Sequence, residues 1–451
     1  MEKSIKEIND STREVEFKFS KEDLKPYFDA AYKKAQPMVD IKGFRKGKVP
    51  IAIIKKHFGK QIEAEALENL SNETFQNFIK EDKIEMIGTP KLTDIKEQDN
   101  GYSFKIEFEV FPKFELADYK NIKIYEPVHS VTDQEVDRQI NLILRNNGDL
   151  EKADIITDEL FLVDATFTKI DPSTKEPLKG IKPEKSKLFL ADETIIPELK
   201  TLFINSKIGD NFEFEPSKYD QHSPEGLYRV TIDNIEKLIP KELNEEFVRQ
   251  YTKDKFSTVE DFKEEIGFQI QEKWDEKTRI ELENQIITKL VEMHNFDLPK
   301  SIVKDVIDAM YQDIKNQYYK NVKIDDKLLY DTITPDLVPL AERTVKWEFI
   351  KNAIIKKENL ELEDSDIEEI INYEQNSTGA DRDAIKAKIK SNKQIIDRIL
   401  SKKVIELLID FAETEEVTFD EYNEIIHQHN HLHEHNNEHN HDNESNHSNR
   451  E

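Results

Sequence analysis

The sequence predicts an α+β protein of several domains, and three observations carry that prediction. The chain has 451 residues, which at roughly 100–200 residues per domain corresponds to two to four domains. Its first half contains runs in which apolar and polar residues alternate, the period of a half-buried strand. Its second half, from residue 240, carries apolar residues at helical spacing. Hydrophobic residues make up 37% of the chain, which is enough for real cores.

The composition excludes several functional classes. The formal net charge of -28 argues against a general nucleic-acid binder, because phosphate repels an acidic surface. The absence of cysteine excludes disulfides, thiolate metal sites and cysteine nucleophiles. Residues 1–10 contain no apolar signal region, and no run of about 18 apolar residues occurs in the chain. We therefore expect a cytoplasmic protein that does not span a membrane.

Residues 1–112 are predicted to form a first α+β domain. Strand-like alternation covers residues 11–20 and 101–112, and helical spacing dominates between them. Pro50 suits the first turn of a helix, which we expect to stop at Gly59 before a longer helix begins. A short basic loop joins two of these predicted helices.

The next two segments differ from the first domain and from each other. Residues 113–150 are interpreted as a connector with one short strand and one helix. Residues 151–239 contain strand-like runs separated by turn-rich pieces. This pattern predicts a small β-rich domain with one short helix near residues 196–202.

The C-terminal part, residues 240–426, is predicted to be a helical body. Ser257 and Glu260 have the spacing of a capping box at the start of a long helix. A helical pattern breaks at Pro299 and restarts after it. Residues 427–451 are rich in His and Asn and almost lack apolar residues, so we expect them to stay disordered.

One short segment combines an aromatic residue with a cluster of cations. Residues 41–62 contain no Asp or Glu, although the whole chain is acidic. Arg45 and the neighbouring lysines can engage phosphates or carboxylates, and Phe44 can fill an apolar slot of a partner. Glycines on both sides permit the tight backbone that this display needs. The alternative is that the cations are only solvated and Phe44 folds back onto its own helices.

The chain resembles the trigger factor family of bacterial chaperones, whose signature is a Gly-Phe-Arg-x-Gly-Lys-x-Pro loop. Every fixed position of the signature is filled in order between residues 43 and 50. The residues that the resemblance assigns to ribosome binding are Gly43, Phe44, Arg45, Lys46, Gly47, Lys48 and Pro50. The segment 298–303 also resembles the helix break in the family's C-terminal domain.

The resemblance implies a fold, a function and partners. The fold is an N-terminal α+β ribosome-binding domain and a small β-rich isomerase-like domain, inserted in a mainly α-helical body with which the connector packs. The function is that of a chaperone that holds nascent polypeptides at the ribosomal exit tunnel and assists their folding. The implied partners are the large ribosomal subunit, through a ribosomal protein and local rRNA, and unfolded chains. No cofactor is expected, and whether the free protein forms a homodimer stays open.

The family's middle domain resembles peptidyl-prolyl isomerases of the FK506-binding type, which hold an X-Pro bond in an apolar, aromatic pocket. The usual Val/Ile-Pro-Gly-Phe-Glu segment stands here as Ile196-Pro197-Glu198-Leu199, without its Gly and Phe. The candidate pocket residues are Phe167, Phe189, Ile196, Leu199, Tyr219 and Tyr228. Because alternating aromatic residues also form ordinary β-domain cores, we expect the isomerase activity to be weak or lost.

A chaperone that holds unfolded chains needs scattered apolar patches that each contribute modestly. The candidates in the helical body are Phe268, Tyr311, Tyr318, Tyr319, Val338 and Leu340. The alternative for each of them is a place in the core of the helical body.

The histidine-rich tail offers weak candidates for metal binding through imidazole nitrogens. They are His427, His429, His431, His433 and His435. A spacing of two residues defines no coordination geometry, and flexible His tracts bind metal without function. We therefore expect no defined metal site.

Two other functions are consistent with the same residues. One is an active peptidyl-prolyl isomerase whose other domains deliver substrate. The other is a ribosome-assembly factor that binds rRNA through the basic loop, without the ribosomal protein and without any effect on a folding client.

Overall fold

The computed structural model describes residues 1–45, 47–219, 223–320, 322 and 324–428, apart from the side chain of residue 369. The strands are β1 (Glu2–Glu7), β2 (Thr12–Ser20), β3 (Met86–Gln98), β4 (Gly101–Val110), β5 (Lys123–Val128), β6 (Asp149–Lys152), β7 (Phe161–Ile170), β8 (Glu184–Phe189), β9 (Asn211–Phe214), β10 (Leu227–Ile239) and β11 (Glu413–Thr418). The helices are α1 (Lys21–Ala35), α2 (Ile51–Glu81), α3 (Asp133–Asn146), α4 (Pro197–Phe203), α5 (Glu245–Thr252), α6 (Val259–Met293), α7 (Lys300–Tyr318), α8 (Asp326–Glu358), α9 (Glu368–Thr378), α10 (Arg382–Ser391) and α11 (Lys393–Phe411).

The chain folds into two units, each built from segments that are distant in sequence. The first unit combines Met1–Glu126 with Ile280–Glu416, and the second combines Pro127–Arg279 with the chain from Val417 onward. The fold is a mixture of helices and sheets, as the sequence predicts. The domain boundaries given above divide the chain differently, by consecutive segments, and they stay predictions.

The first unit begins with a four-stranded antiparallel sheet in the order β1-β2-β4-β3. Phe17 of β2 lies opposite Phe104 of β4, and both side chains are fully buried. Helix α2 covers this face with Phe75 and Phe78, whose rings lie 5.4 and 6.0 Å from the ring of Phe108. Aromatic side chains therefore supply much of the apolar area that this core buries.

Helix α2 runs without a break from Ile51 to Glu81, so the predicted stop at Gly59 is wrong. A Cβ atom on Gly59 would lie 3.3 Å from the hydroxyl oxygen of Tyr32 on α1. This is closer than most real Cβ contacts. The glycine therefore allows the two helices to approach each other and does not end either of them.

The helical body of the first unit packs around residues from three long helices and from the segment that leads into β5. The shared core contains Tyr119, Ile124, Leu282, Ile286, Leu290, Ile350, Ile354, Val404 and Leu408. Lys351 is buried beside this core, and its Nζ donates hydrogen bonds to Glu348 at 2.9 Å, Asp397 at 3.2 Å and Ser401 at 2.9 Å. These acceptors offset the cost of removing a charged group from water.

A strand interrupts the segment that was predicted to be helical throughout. Strand β11 (Glu413–Thr418) pairs with β5 in a two-stranded sheet. Its sequence is rich in glutamate and mostly exposed, so it carries no apolar face that would announce a strand. Residues 419–428 are helical again, and this includes His427, which the sequence placed at the start of the disordered tail.

Two carboxylates of the N-terminal segment accept hydrogen bonds from groups near the start of α7 and so hold the sheet of the first unit to the helical body. The Glu109 carboxylate accepts hydrogen bonds from the backbone N–H of Ser301, at 3.1 Å, and from the Ser301 hydroxyl. Asp10 accepts from the backbone N–H of Asp297 at 3.1 Å. Gly88 of β3 has φ +63°, and a Cβ there would lie 2.7 Å from the Ser301 hydroxyl oxygen. These contacts join the N-terminal sheet to the helix that begins at Lys300.

The second unit contains a five-stranded antiparallel sheet in the order β6-β10-β7-β8, with β9 also paired to β10. Its core is formed by one face of the sheet and by the short helix α4, with Phe161, Val163, Leu199, Phe203, Val230 and Ile232 among its buried residues. Strand β10 shifts register between Ile232 and Asn234. Such an irregularity bends the strand and increases its twist.

The helical part of the second unit packs α3 against α5 and the first turns of α6. Thr132 caps α3, because its hydroxyl accepts from the Glu135 N–H while the Glu135 carboxylate accepts from the Thr132 N–H. At the start of α6 the predicted capping box Ser257–Glu260 is wrong by one residue. The hydroxyl of Thr258 accepts from the N–H of Asp261 at 3.1 Å instead.

Among the described residues, no helix is both long enough and apolar enough to cross a membrane.

Candidate functional site

The basic loop, residues 41–50, joins α1 to α2 and is shaped by two glycines. Gly43 has φ +98° and Gly47 has φ +79°, and residues with a side chain rarely adopt such backbone angles. Each glycine lies in a turn. The Phe44 N–H donates to the Ile41 carbonyl at 3.0 Å, and the Lys48 N–H donates to the Arg45 carbonyl at 2.9 Å. Glycine is therefore needed at both positions.

A small apolar core lies beneath the basic loop and fixes its second half. It consists of Val49, Ile54 and Tyr32, all of them buried. The side-chain amide of Gln36 donates to the Val49 carbonyl at 2.8 Å. Because Val49 is tied by both its side chain and its carbonyl, the residues before it are presented from a fixed base.

The Tyr32 hydroxyl donates a hydrogen bond to the Glu63 carboxylate at 2.7 Å. Burial, together with this carboxylate, raises the pKa of Tyr32 well above its ordinary value. The Nζ of Lys55 lies 3.7 Å from the same carboxylate. Glu63, the first acidic residue after the basic segment, is therefore engaged by Tyr32 and Lys55 of the two helices.

The tip of the basic loop faces solvent. Phe44 is 42% exposed, and Lys42, Arg45 and Lys48 are exposed as well. Within the described residues none of these three cations makes an ion pair. Lys46, which the sequence also assigns to this site, lies outside the described residues. The arrangement offers an aromatic ring and unpaired positive charge to a partner.

Sequence reasoning missed three exposed apolar residues that belong to the same region. Met38 precedes the loop, while Ile51 and Phe58 lie in the first turns of α2, and all three are exposed. The helical spacing of Ile51 and Phe58 did not show that their side chains are exposed. Their exposure adds apolar area on both sides of the signature motif.

The candidates for client binding divide into three groups. Phe268 and Leu340 are exposed, and Tyr318 is 66% exposed. Tyr319 and Val338 are partly buried. Tyr311 is only 1% exposed, so its assignment to a client-facing surface is wrong.

The buried Tyr311 instead holds the end of a helix pair together. Its hydroxyl donates to the Asp326 carboxylate at 2.6 Å, which raises the pKa of Tyr311 to about 12. Lys315 also donates to Asp326, at 2.5 Å, and lowers the pKa of that carboxyl group. The centroids of the Tyr330 and Tyr311 rings lie 5.0 Å apart, and the hydroxyl of Tyr330 donates to the Asp308 carboxylate. This network joins the C-terminal part of α7 to the first turns of α8.

The α7–α8 turn, residues 318–328, displays further apolar residues that the sequence did not single out. Val322 and Ile324 are exposed, and Leu328 is 64% exposed. Val322 and Ile324 lie between the two helices, in a segment without helical or strand periodicity, so no pattern marked them, and Leu328 lies in the first turn of α8. Together with Tyr318 they form the exposed apolar end of the helix pair.

The six candidate residues of the isomerase pocket do not share one environment in the structure. Leu199 is buried in the core of the β-rich domain, and Phe167 and Ile196 pack against that core. Tyr219 is 53% exposed and stacks on Phe214 with a ring distance of 5.5 Å. Phe189 and Tyr228 are partly buried strand residues. A cavity of about 480 Å³ beside α4 is lined by none of the six candidates, but by Glu159, Pro197, Lys200, Thr201, Ile204 and Asn205.

The metal candidates fall almost entirely outside the described residues. His427 is exposed on the last described helical turn, and His429, His431, His433 and His435 lie outside the described part. Among the described residues, no group of three or more His, Cys, Asp or Glu side chains could hold a metal ion.

Two family models match this chain at its two ends. The model described as "Bacterial trigger factor protein (TF)" matches residues 1–143, and the one described as "Bacterial trigger factor protein (TF) C-terminus" matches residues 258–410. Together they cover more than half of the chain.

Relatives agree over nearly the full length. A protein named "Trigger factor" from Chlorobaculum tepidum is 26% identical over 419 residues, covering 92% of this chain and 95% of that protein. Another of the same name, from Chlorobium phaeobacteroides, is 27% identical over 415 residues, covering 90% and 96%. A solved structure described as "Promiscuous Substrate Recognition in Folding and Assembly Activities of the Trigger Factor Chaperone" has a TM-score of 0.49 and 18% identity, and the match covers 91% of this chain and 99% of that one.

These matches, on a fold of several domains, define a multidomain chaperone. The chain belongs to the trigger factor family, the ribosome-associated chaperones of bacteria.

Proposed function

We propose that the basic loop docks this chaperone on the large ribosomal subunit beside the exit tunnel, through Phe44, Arg45 and Lys46. The observation that carries the proposal is an exposed aromatic tip with unpaired cations, fixed on a small apolar core, in a chain of net charge -28. An aromatic anchor with surrounding charge is the composition of an interface hot spot. Positive charge also speeds the encounter with a polyanion such as the ribosome.

Docking is tested by replacing the tip and sedimenting with ribosomes. The variant Phe44→Ala/Arg45→Ala/Lys46→Ala is expected to stay in the supernatant, while the wild type pellets with ribosomes. A control, Tyr318→Ala/Lys320→Ala, removes an exposed aromatic ring and a cation from the α7–α8 turn and should pellet like the wild type. Unchanged pelleting of the triple variant would remove the docking proposal.

The finer partners of the loop follow from its chemistry. Arg45 suits a bidentate pair with a carboxylate of a ribosomal protein, and the lysines suit local rRNA phosphates. Binding that needs both partners should be lost on protein-free rRNA, whereas an rRNA-binding assembly factor would still bind it. Because its partner is the ribosome, we expect the protein in the cytoplasm. Analytical ultracentrifugation of the ribosome-free protein decides between a monomer and a homodimer.

Holding of unfolded chains is proposed for the exposed apolar residues of the helical body. Tyr318, Val322, Ile324 and Leu328 at the α7–α8 turn are the best-exposed group, and Leu340 lies further along α8. Each buried apolar contact contributes modestly, at about 25 cal/mol per Å², so clients bind at several weak points and can leave. Suppression of aggregation of a denatured test protein measures this activity.

We infer that the β-rich domain contributes little isomerase activity. Three of its six candidate pocket residues are engaged with its own core, and Tyr219 stacks on Phe214 at the surface. A pocket that twists an X-Pro bond must keep its apolar walls open to the substrate. A protease-coupled assay on a proline peptide should show weak or no catalysis. Catalysis of ordinary strength would restore isomerase activity as the main alternative.

A further inference from the structure

A cavity of about 570 Å³ lies in the first unit, between the start of α7 and the middle of α8. Its volume falls in the range of roughly 300–1,000 Å³ that is usual for ligand pockets. Its apolar lining consists of Val291, Phe296, Leu298, Val303, Ile307 and Pro339. Neither the loop nor the α7–α8 turn contributes to it, so it is separate from both surfaces described above.

The polar lining of this cavity is positive in an otherwise acidic protein. Lys300, Lys304, Arg343 and Lys346 line it, against the two carboxylates of Asp297 and Glu342, which leaves an excess of two positive charges. Lys304 is engaged by Asp308 at 2.6 Å. Among the described residues, Lys300, Arg343 and Lys346 make no ion pair.

Arg343 carries a donor without a partner. One terminal nitrogen of its guanidinium donates to the Thr288 hydroxyl at 2.9 Å, which fixes the side chain. Its Nε is buried and has no hydrogen-bond partner in the described structure. A buried donor without an acceptor is rare and costs free energy. The other terminal nitrogen makes no hydrogen bond among the described residues, so the guanidinium can still donate to an acceptor in the cavity.

Lys346 follows Arg343 by three residues on the same helix, so the two side chains lie on neighbouring turns. Its Nζ donates to the His294 carbonyl at 3.1 Å and lies 5.6 Å from the centroid of the Phe296 ring. An ammonium group has three donors, so this lysine can still donate to a ligand. Apolar walls therefore lie directly beside two cations that have donors to spare.

We propose that this cavity binds an Asp or Glu side chain of an unfolded polypeptide together with the apolar side chain next to it. The carboxylate is bound by Arg343 and Lys346 through charge-assisted hydrogen bonds, which are stronger than neutral ones. The apolar side chain next to the carboxylate packs against Phe296 and Val303. The inference rests on the proposed holding of unfolded chains, and it adds a class of segment that this protein recognises.

Charge complementarity favours this occupant over a purely apolar one. A chain of net charge -28 repels acidic segments of its clients at long range. At this cavity, the local excess of positive charge beside an apolar wall attracts such segments. A carboxylate in the cavity can accept charge-assisted hydrogen bonds from the Arg343 guanidinium and the Lys346 ammonium, whereas an apolar occupant can accept none.

Two short peptides with the same apolar residues test the proposal, one with Glu at its polar positions and one with Gln. Both carry a fluorescent label and an amidated C-terminus, so that the side-chain carboxylates are the difference measured. Fluorescence anisotropy gives the affinity of each peptide for the full chain. Arg343→Gln/Lys346→Gln should lower the Glu-to-Gln affinity ratio about tenfold, the worth of a charge-assisted hydrogen bond.

The control variant Lys356→Gln/Lys393→Gln removes two exposed lysines outside the cavity and should keep the wild-type ratio. A ratio that is the same in the cavity variant and in the wild type would overturn the proposal, even if both peptides bind. Failure of both peptides to bind the wild type would overturn the client-holding function itself.

A second variant guards against loss of folding in the first. Val303→Phe keeps every charge and fills part of the apolar wall. It should weaken binding of the Glu peptide several-fold, with thermal unfolding close to that of the wild type. Binding of full strength in a folded Val303→Phe protein would contradict occupation of the cavity.

Discussion

The basic loop and the α7–α8 turn display exposed apolar side chains in the same way but on different backgrounds of charge. Each joins two consecutive helices that pack against each other, and each displays exposed apolar side chains at the end of the pair. They differ in charge. Residues 41–62 contain seven Lys or Arg and no acidic residue, whereas residues 313–331 contain four Lys and four Asp. In the proposed functions, charge, and not the apolar tip, separates the surface for a polyanion from the surface for unfolded chains.

The two ends also differ in what holds them. The loop rests on buried apolar side chains, Val49 and Ile54, with one hydrogen bond from Gln36. The turn is held by hydrogen bonds and an ion pair around the Asp326 carboxylate. An apolar base gives a fixed display, which suits one rigid partner. A base of exposed ionic contacts is weaker, which suits a surface that meets many different chains.

The largest effect is expected from breaking the base of the loop. Val49→Asp places an unpaired carboxylate in an apolar core, which costs several kcal/mol, about 3 or more. The signature residues Phe44, Arg45 and Lys46 stay in place, yet ribosome pelleting should be lost. Val338→Asp, at a partly exposed position of the helical body, serves as a control and should pellet normally. Normal pelleting of Val49→Asp would show that the base does not fix the display.

Reversing charge at each tip sharpens the comparison directly. Arg45→Glu should weaken ribosome binding by about tenfold or more, because an attraction is replaced by repulsion. Lys320→Glu makes the same reversal in the α7–α8 turn and should change ribosome affinity little. Titration with fluorescently labelled protein measures both. Equal losses in the two variants would mean that only the net charge of the chain matters.

Removing apolar side chains from the turn should affect clients alone. Tyr318→Ser/Leu328→Ser is expected to reduce suppression of aggregation while changing the free energy of unfolding by only about 0.5 kcal/mol per site, as is usual for exposed positions. Ribosome pelleting should stay at the wild-type level. Full suppression by this variant would assign client holding to other residues.

The smallest effect concerns the base of the turn and its dependence on pH. Tyr311→Phe deletes one hydrogen bond to Asp326 and should cost about 1 kcal/mol at neutral pH. Asp326 has a lowered pKa in the folded protein. The charged carboxylate therefore contributes its full stabilisation above the ordinary pKa of aspartate, and this stabilisation is lost as the pH falls through the lowered pKa of the folded state. The difference in stability between wild type and Tyr311→Phe should therefore shrink at acid pH. A difference independent of pH would contradict the role of the charged carboxylate.

Much of the fold was predictable where apolar residues follow a clear period. Strand β4 appears where alternation placed it, and helix α3 lies in the segment to which one helix was assigned. Strand β1 was missed because all six of its residues are exposed and none forms an apolar face. Strand β3 was missed because shifts of register interrupt its alternation.

The site was predictable where a local motif decides the backbone. The glycines at 43 and 47 announced a tight loop, and both have positive φ angles. Spacing alone did not separate Tyr311 from Tyr318, since burial depends on which neighbour packs over each helix face. The exposed residues at 322 and 324 follow no period, and the cavity beside Arg343 joins segments far apart in sequence. Neither could be read from local pattern.

The most direct measurement is photo-crosslinking on ribosomes that carry a stalled nascent chain. A photoreactive phenylalanine analogue replaces Phe44 in one protein and Tyr318 in another. Position 44 is expected to crosslink to the large ribosomal subunit and position 318 to the nascent chain. Crosslinks from position 44 to the nascent chain alone, or from position 318 to the ribosome alone, would contradict this expectation.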